Sequence, residues 1–370
     1  MILSSISLNN IRVHQNFNTS FAGRLNYIVG GNGLGKTTIL EAIYYLCTTK
    51  SCSASSDVEV LSFDKNEFMI EGVFSDLTRN NVRLIYSKSD NKKQYLIDDK
   101  KISRFSSAIG KFPVVLLMPS DHSITQGPPA ERRKFVDSII SQANKNYLET
   151  LIEYNRILKQ RSALLFKNRE LKSSNFQTEL QAWTTGLVEK GKKLINYRID
   201  FIKKFRERVE ESYKKIMNTE ETPEVYYSYL EDYNGDNIRE RFLTLLNDRN
   251  EEETIRGTNL VGPHRDDFIF ELNGLNLKTY GSQGQHKTFQ AALRFAEFFY
   301  LKEMSGTTPI FLLDDVFGEL DANRANKISE YLSEVGQAFI TITDFGNFSF
   351  LKTGYEDSII RLEKKAEVYA

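Results

Sequence analysis

The sequence predicts an α/β fold: an α/β lobe split between the two ends of the chain, with a helical lobe inserted between them. Three observations predict it. Near the N-terminus the apolar run Leu25-Asn26-Tyr27-Ile28-Val29 leads into a glycine-rich loop and then a segment of helical spacing. Near the C-terminus the apolar run Ile310-Phe311-Leu312-Leu313 ends in two carboxylates, Asp314 and Asp315. Between them, from Pro128 to about Met217, apolar residues recur every three or four positions.

At 370 residues the chain exceeds the size at which one core stops growing, so two lobes are expected. We expect the split lobe at residues 1–120 and 256–370, and the helical lobe at 121–255. The 49 basic and 49 acidic side chains cancel, so any nucleic-acid binding must come from local patches. Cys47 and Cys52 form no CxxC pair and are expected to be reduced and structural, in a cytoplasmic protein. Residues 1–10 alternate apolar and polar, as a strand does and a signal peptide does not. No run is long enough for a membrane span, and no membrane is expected among the partners.

In order along the chain, Ile2, Ile6 and Leu8, then Phe17 and Phe21, read as a strand and its partner. Leu25–Val29 reads as a buried strand, and the spacing at Ile39, Ala42, Ile43 and Leu46 as a helix. Residues 67–102 read as an antiparallel meander with turns near 78–81 and 98–99. Residues 113–118 read as another apolar strand. In the middle, one helical series runs through Phe135, Ile139, Tyr147, Leu151, Leu158 and Leu165. A second runs through Leu180, Trp183, Leu187, Leu194, Phe201, Phe205, Val209 and Ile216. A polar break at 167–174 separates them, which predicts two long helices folded into a hairpin arm. Then come loop and strand at 257–273, a helix at 282–302, a strand at 309–313, a helix at 325–335 and a core strand at 338–342.

The loop Gly30-Gly31-Asn32-Gly33-Leu34-Gly35-Lys36-Thr37-Thr38 contains G-x-x-x-x-G-K-[ST]. Its glycines let successive N–H groups face phosphate oxygens, Lys36 brings a charge to the β/γ-phosphates, and the Thr37 hydroxyl ligates Mg²⁺. ATP and Mg²⁺ are the expected ligands. Asp314 would hold the metal, and Asp315 would orient or deprotonate the attacking water. Lys36 and Asp314 stand at opposite ends of the chain yet must meet at one nucleotide, so the helical middle must be an insertion. Tyr280-Gly281-Ser282-Gln283-Gly284-Gln285 precedes a helix and contains the S-x-G-Q core of an ABC-type signature. Ser282, Gly284 and Gln285 would form a second anion site at that helix N-terminus, serving the nucleotide of a second subunit. Gly318-Glu319-Leu320-Asp321 stands where a D-loop would cross a dimer seam, and Thr343 where a γ-phosphate sensor would lie.

Together with these motifs, Gly257-Thr258-Asn259-Leu260-Val261-Gly262-Pro263-His264-Arg265-Asp266-Asp267, Leu313-Asp314-Asp315-Val316-Phe317-Gly318-Glu319-Leu320-Asp321, and Gly127-Pro128-Pro129 with Arg132–Asp137 resemble the RecF family of bacterial DNA replication and repair proteins. The resemblance runs from the first strand to the last. It implies an ABC/SMC-like P-loop ATPase lobe with an inserted helical arm lobe. It also implies a weak DNA-dependent ATPase that forms an ATP-dependent homodimer and clamps single-stranded, gapped or duplex DNA. Slow hydrolysis would release the DNA. Recombination mediator proteins as partners and a role in SOS induction are further implications. Gly318 departs from the serine frequent there in the family.

Other residues keep two readings. His264-Arg265-Asp266-Asp267 is a metal or acid/base cluster, or a structural or DNA-facing segment. Arg12 and His14 contact nucleotide or lie in a solvated turn. Lys190, Lys192, Lys193, Arg198, Lys203, Lys204 and Arg206 track DNA phosphates or form a solvated helix face. A transporter's nucleotide-binding subunit and a non-catalytic clamp are the rival functions.

Overall fold

The computed structural model describes residues 1–170, 175–217, 220–347, 354 and 356–363. Along the chain these form β1 (Ile2–Ile11), β2 (His14–Ser20), β3 (Leu25–Val29), α1 (Lys36–Thr48), β4 (Glu67–Ser75), β5 (Arg79–Ser87), β6 (Lys92–Ile97), β7 (Lys100–Lys101) and β8 (Val114–Leu117). There follow α2 (His122–Gln126), α3 (Pro129–Ala143), α4 (Lys145–Glu170), α5 (Phe176–Ile216), β9 (Pro223–Ser228), α6 (Ile238–Asp248) and α7 (Asn250–Arg256). The chain continues through β10 (Asp267–Leu272), β11 (Leu275–Asn276), α8 (Leu277–Tyr280), α9 (Gln283–Ser305), β12 (Ile310–Leu313), α10 (Ala322–Tyr331), β13 (Ala338–Ile342) and β14 (Ser358–Arg361). Contacts divide the chain into two compact units. The first is Met1–Asp121, Glu211–Glu220 and Gln283–Ala370; the second is His122–Glu210 and Glu221–Ser282.

The first unit has three layers. Strands β2-β1-β4-β5-β6-β7 form an antiparallel sheet, and β14-β3-β13-β12-β8 a parallel one. Helix α1 lies between them. Its Ile39, Leu40, Ile43, Tyr45 and Leu46 share one core with Leu3, Ile70 and Leu84 of the first sheet and Ile28, Leu116, Ile310 and Leu312 of the second. Ten of its thirteen residues are buried, Glu41 among them, as suits a helix between two sheets. Strand residues alternate faces, so Phe311 points the other way from Ile310 and Leu312. There it meets Phe295 of α9 edge-on, with ring centroids 5.0 Å apart. Phe295 stacks on Tyr331 of α10 at 4.2 Å. A buried amide joins the chain's ends: Gln337 Nε2 donates to the Leu3 carbonyl at 2.8 Å, and Leu3 N–H donates to Gln337 Oε1 at 2.7 Å.

The second unit holds α3, α4 and α5 as far as Glu210, with the antiparallel strands β11-β10-β9. The expected two-helix arm is three helices among the described residues. The first apolar series is broken at Asn144, whose backbone leaves the helical region (φ −143°, ψ 108°). The Asn144 side chain accepts from Tyr147 N–H at 3.1 Å, starting α4 as an N-cap does. The apolar spacing continues through the break, which is why periodicity hid it. The expected polar break at 167–174 falls partly on 171–174, outside the described residues.

The contacts also divide the chain elsewhere than at residue 256. Residues 256–282 belong to the second unit because β10 pairs with β9 from Asp267↔Ser228 to Leu272↔Pro223. Residues 211–220 belong to the first, where Lys215 Nζ pairs with Glu334 at 2.5 Å. Among the described residues no helix is long and apolar enough to cross a membrane.

Candidate nucleotide-binding site

Strands β3, β13, β12 and β8 are parallel, so their carboxyl ends share one edge of the sheet, the edge at which ligands bind in such folds. Gly30–Thr37 follows β3, Asp314-Asp315 follows β12, Thr343 follows β13 and Met118 follows β8.

The loop has the geometry its letters require. Gly35 has φ +86°, and a Cβ there would stand 2.4 Å from His14 Nε2 and 2.6 Å from Val13 Cγ2, so both backbone and space demand glycine. At Gly30 a Cβ would meet the Leu362 carbonyl oxygen at 2.9 Å. Helix α1 begins at Lys36, and its first backbone donors have no intrahelical acceptor. The Lys36 side chain is 7% exposed, and its ammonium donates to the carbonyls of Gly30 at 2.7 Å and Gly31 at 3.1 Å. Gly31, Asn32, Gly33 and Thr37 are exposed, Leu34 is half-buried and Thr38 is buried.

The acid pair arrives from the far end of the chain. Thr37 Oγ1 donates to Asp314 Oδ1 at 2.9 Å across 277 residues of sequence. Thr341 Oγ1 donates to the same oxygen at 2.8 Å and accepts from Asp315 N–H at 2.8 Å. Burial raises the Asp314 pKa, opposed by these two hydroxyls and by Lys36, while Asp315 adds to the rise. Asp315 is exposed and sits in the left-handed region at φ +50°. Thr341 is the residue that sequence reasoning missed. Its signal was a polar letter inside the otherwise apolar strand Ala338–Ile342, and it bridges both carboxylate positions. Thr343, half-buried, lies one residue beyond that strand.

Arg12 and His14 are engaged by protein. Arg12 grips Glu41 of α1 with Nε at 2.6 Å and Nη2 at 2.9 Å. Ser51 and Ser53 also donate to Glu41. His14 Nε2 bonds the Gly35 carbonyl at 3.1 Å, and burial lowers its pKa. Exposed Ser282 directly precedes α9, whose first turn carries Gly284 and Gln285. The hydrogen bonds of Lys36 and Thr37 go to Gly30, Gly31 and Asp314, not to these signature residues.

In the second unit the Gly257–Asp267 string is a folding staple. Tyr154 OH and His264 Nδ1 are 2.7 Å apart and His264 Nε2 faces the Asn259 carbonyl at 3.4 Å, so neither ring nitrogen is left for a metal. Burial lowers the His264 pKa to about 4, which keeps the ring neutral. Arg198 is buried: it donates to the Pro263 carbonyl at 2.7 Å and to Asp137 at 2.8 Å, and lies 3.8 Å from Asp266. It is thus no phosphate-tracking side chain. Lys190 pairs with Glu153, Lys203 with Asp200, and Arg206 lies over the Tyr226 ring. Arg132 holds Asp267 through two bonds of 2.8 Å.

A family of AAA domains matches residues 5–274. The DNA replication and repair protein RecF of Chloroherpeton thalassium is 40% identical over 362 residues, covering 95% of this chain and 97% of that protein. A solved structure of the recombination mediator protein RecF-ATPrS in the RecFOR pathway superposes with TM-score 0.86 at 30% identity, covering 97% of each chain. The Smc head domain of Pyrococcus furiosus, at 15% identity and TM-score 0.55, shares the fold. Identity of this degree, sustained across nearly the whole of both chains, means that the chain belongs to the RecF family of DNA replication and repair proteins.

Proposed function

We propose that this chain is an ATP-binding, DNA-binding protein of recombinational repair that pairs with a second copy when ATP is bound, and hydrolyses the ATP slowly. The observation that carries the reading is the Thr37–Asp314 hydrogen bond, which unites a phosphate loop and an acid pair from opposite ends of the chain. In this reading Gly30–Thr38 cradle the phosphates with backbone N–H groups and Lys36 bonds the β/γ-phosphate oxygens in exchange for its loop carbonyls. The related structure described with ATPrS supports the choice of nucleotide.

The donor set fits Mg²⁺. The Thr37 hydroxyl and Asp314 carboxylate are hard oxygen donors 2.9 Å apart. Among the described residues no group of three or more His, Cys, Asp or Glu could hold a metal alone. Mg²⁺ is commonly held by one or two protein oxygens with phosphate oxygens and water completing the shell. Bound there, the ion supplies neutralisation of phosphate charge. Asp315 accepts the proton of the attacking water, and Thr341 fixes its backbone. Ser282, Gly284 and Gln285 close the nucleotide of the other subunit. The mediator partners, gapped-DNA action and SOS role belong to the same reading through the family.

The test mixes two inactive variants. Lys36→Ala loses the phosphate loop and keeps the signature; Ser282→Arg does the reverse. A mixed dimer holds one intact composite site, so about a quarter of wild-type sites return if sites act independently. ATP-dependent pairing and DNA binding at several salt concentrations are measured alongside. If mixing restores neither turnover nor pairing where the wild type pairs, the shared-site reading is lost. DNA affinity indifferent to ATP would overturn the clamp.

A further inference from the structure

The D-loop segment and the signature helix are bonded to each other through one side chain of the first unit. Asp321 caps α10 by accepting from Arg324 N–H at 3.0 Å, and also pairs with the Arg324 guanidinium. Capping needs only that carboxylate and the backbone donor. The Arg324 side chain nevertheless reaches to α9. Its Nε donates to Thr288 Oγ1 at 2.8 Å, and that hydroxyl donates to the Gly284 carbonyl at 3.0 Å. The guanidinium lies so close to the turn that a Cβ on Gly284 would stand 2.9 Å from Nη2. Thr288 is 1% exposed, so its hydroxyl bonds only within the protein. Asp321, Arg324, Thr288 and Gly284 thus form one continuous relay between two segments distant in sequence.

We propose that Arg324 is a positioning residue that locks the first turn of α9, carrying Gly284 and Gln285, to the Asp321 segment, so that both face a second subunit's nucleotide as one rigid surface. The inference rests on the shared-site reading above. A planar fork suits this role because it bonds a carboxylate and a hydroxyl at once, whereas an ammonium is a single point charge. Surfaces ordered before association avoid part of the entropy lost on binding. Loss of the relay therefore weakens pairing while the phosphate loop, built from other residues, keeps its own affinity.

The experiment uses the full chain. Nucleotide affinity is titrated at protein concentrations too low for pairing, and ATP-dependent pairing is measured by sedimentation. For Arg324→Ala, nucleotide affinity stays within about twofold of wild type while pairing weakens about tenfold or more. Thr288→Val, which leaves the helix cap intact, weakens pairing in the same direction and carries the test if Arg324→Ala does not fold. Arg324→Lys keeps an Asp321 ion pair but stays defective. Wild-type pairing in Thr288→Val, or full rescue by Arg324→Lys, would overturn the relay. A wild type that never pairs with ATP sinks this inference and the shared-site reading together; wild-type pairing with unaffected Arg324→Ala sinks the inference alone.

Discussion

The phosphate loop and the Gly257–Asp267 string are both dense in polar side chains, and they use them in opposite ways. In the second unit Arg161, 2% exposed, pairs with Glu253, 0% exposed, at 2.6 Å, and bonds Asn259. Arg198 and Arg132 clamp the same string from other elements, and within it Arg265 donates to the Asn259 carbonyl at 2.7 Å. In the phosphate loop Lys36 is held only by two carbonyls of its own loop, while Thr37 and Asp315 are exposed. The bonds of the Lys36 ammonium to neutral carbonyls of its own loop exchange readily for bonds to a ligand, whereas a buried arginine–carboxylate pair does not. What separates a site from a scaffold here is therefore what the charged groups are bonded to, not how many there are.

The sharpest break of the comparison is Arg161→Met. Removing one partner of a buried ion pair leaves Glu253 uncompensated, which costs about 3–5 kcal/mol. Chemical denaturation is expected to show the second unit unfolding at much lower denaturant, with ATP affinity retained at low denaturant. A loss under about 1 kcal/mol would mean the staple is dispensable.

Lys36→Ala is the reciprocal test. Nucleotide affinity is expected to fall about 100-fold or more, roughly 3 kcal/mol, while the melting temperature without nucleotide is nearly unchanged. Equal nucleotide affinity would remove the phosphate-loop reading. The acid pair refines the test: Asp314→Asn weakens Mg²⁺ dependence, whereas Asp315→Asn retains ATP and stalls turnover. Identical phenotypes with Mg²⁺ affinity untouched would refute the division of roles.

His264 gives the scaffold a pH signature. Its folded pKa, about 4, lies below the ordinary imidazole value of 6.5, so the unfolded chain binds the extra proton first as pH falls. Stability from the neutral ring is complete above pH 6.5 and is lost towards pH 4, about 2 kcal/mol by pH 5. Asp266 works the other way, because burial pushes its pKa up to about 6 despite Arg198. The informative quantity is therefore the difference in acid slope between the wild type and His264→Gln, which still bonds Tyr154 and Asn259. Equal slopes would show that His264 does not titrate on unfolding.

These contrasts were unevenly legible in the sequence. The phosphate loop was readable because Gly35 admits no other residue and Lys36-Thr37 must follow it. Asp314-Asp315 was readable only beside the Gly30–Thr37 letters, since acids at the end of an apolar strand serve equally well as a helix cap. Thr341 was not, since a lone threonine in a strand reads as an ordinary β-branched residue until β13 is set beside β12. The three-helix division was hidden because apolar spacing persists across Asn144. The boundary at 256 failed because β10 finds its partner in β9, a pairing that local pattern does not encode.

The smallest expected effect lies within the site itself, at Asp315. A non-glycine residue at φ +50° carries strain of about 1 kcal/mol, less for aspartate and asparagine, which tolerate the left-handed region. Asp315 is exposed, so its carboxylate adds little to the core; it is retained at a local cost. Asp315→Gly removes the strain but adds backbone freedom to the unfolded chain, so the net change is within about 0.5–1 kcal/mol and stabilising in sign. Asp315→Ala keeps a Cβ without the tolerance of aspartate and is expected to be the least stable of the series, with Asp315→Asn near wild type. All three lose turnover. A melting order with alanine above glycine would mean that φ strain is not what distinguishes this position. Turnover surviving in Asp315→Gly would show that the carboxylate is not the group that handles the water's proton, and would move that role to another residue at the same sheet edge.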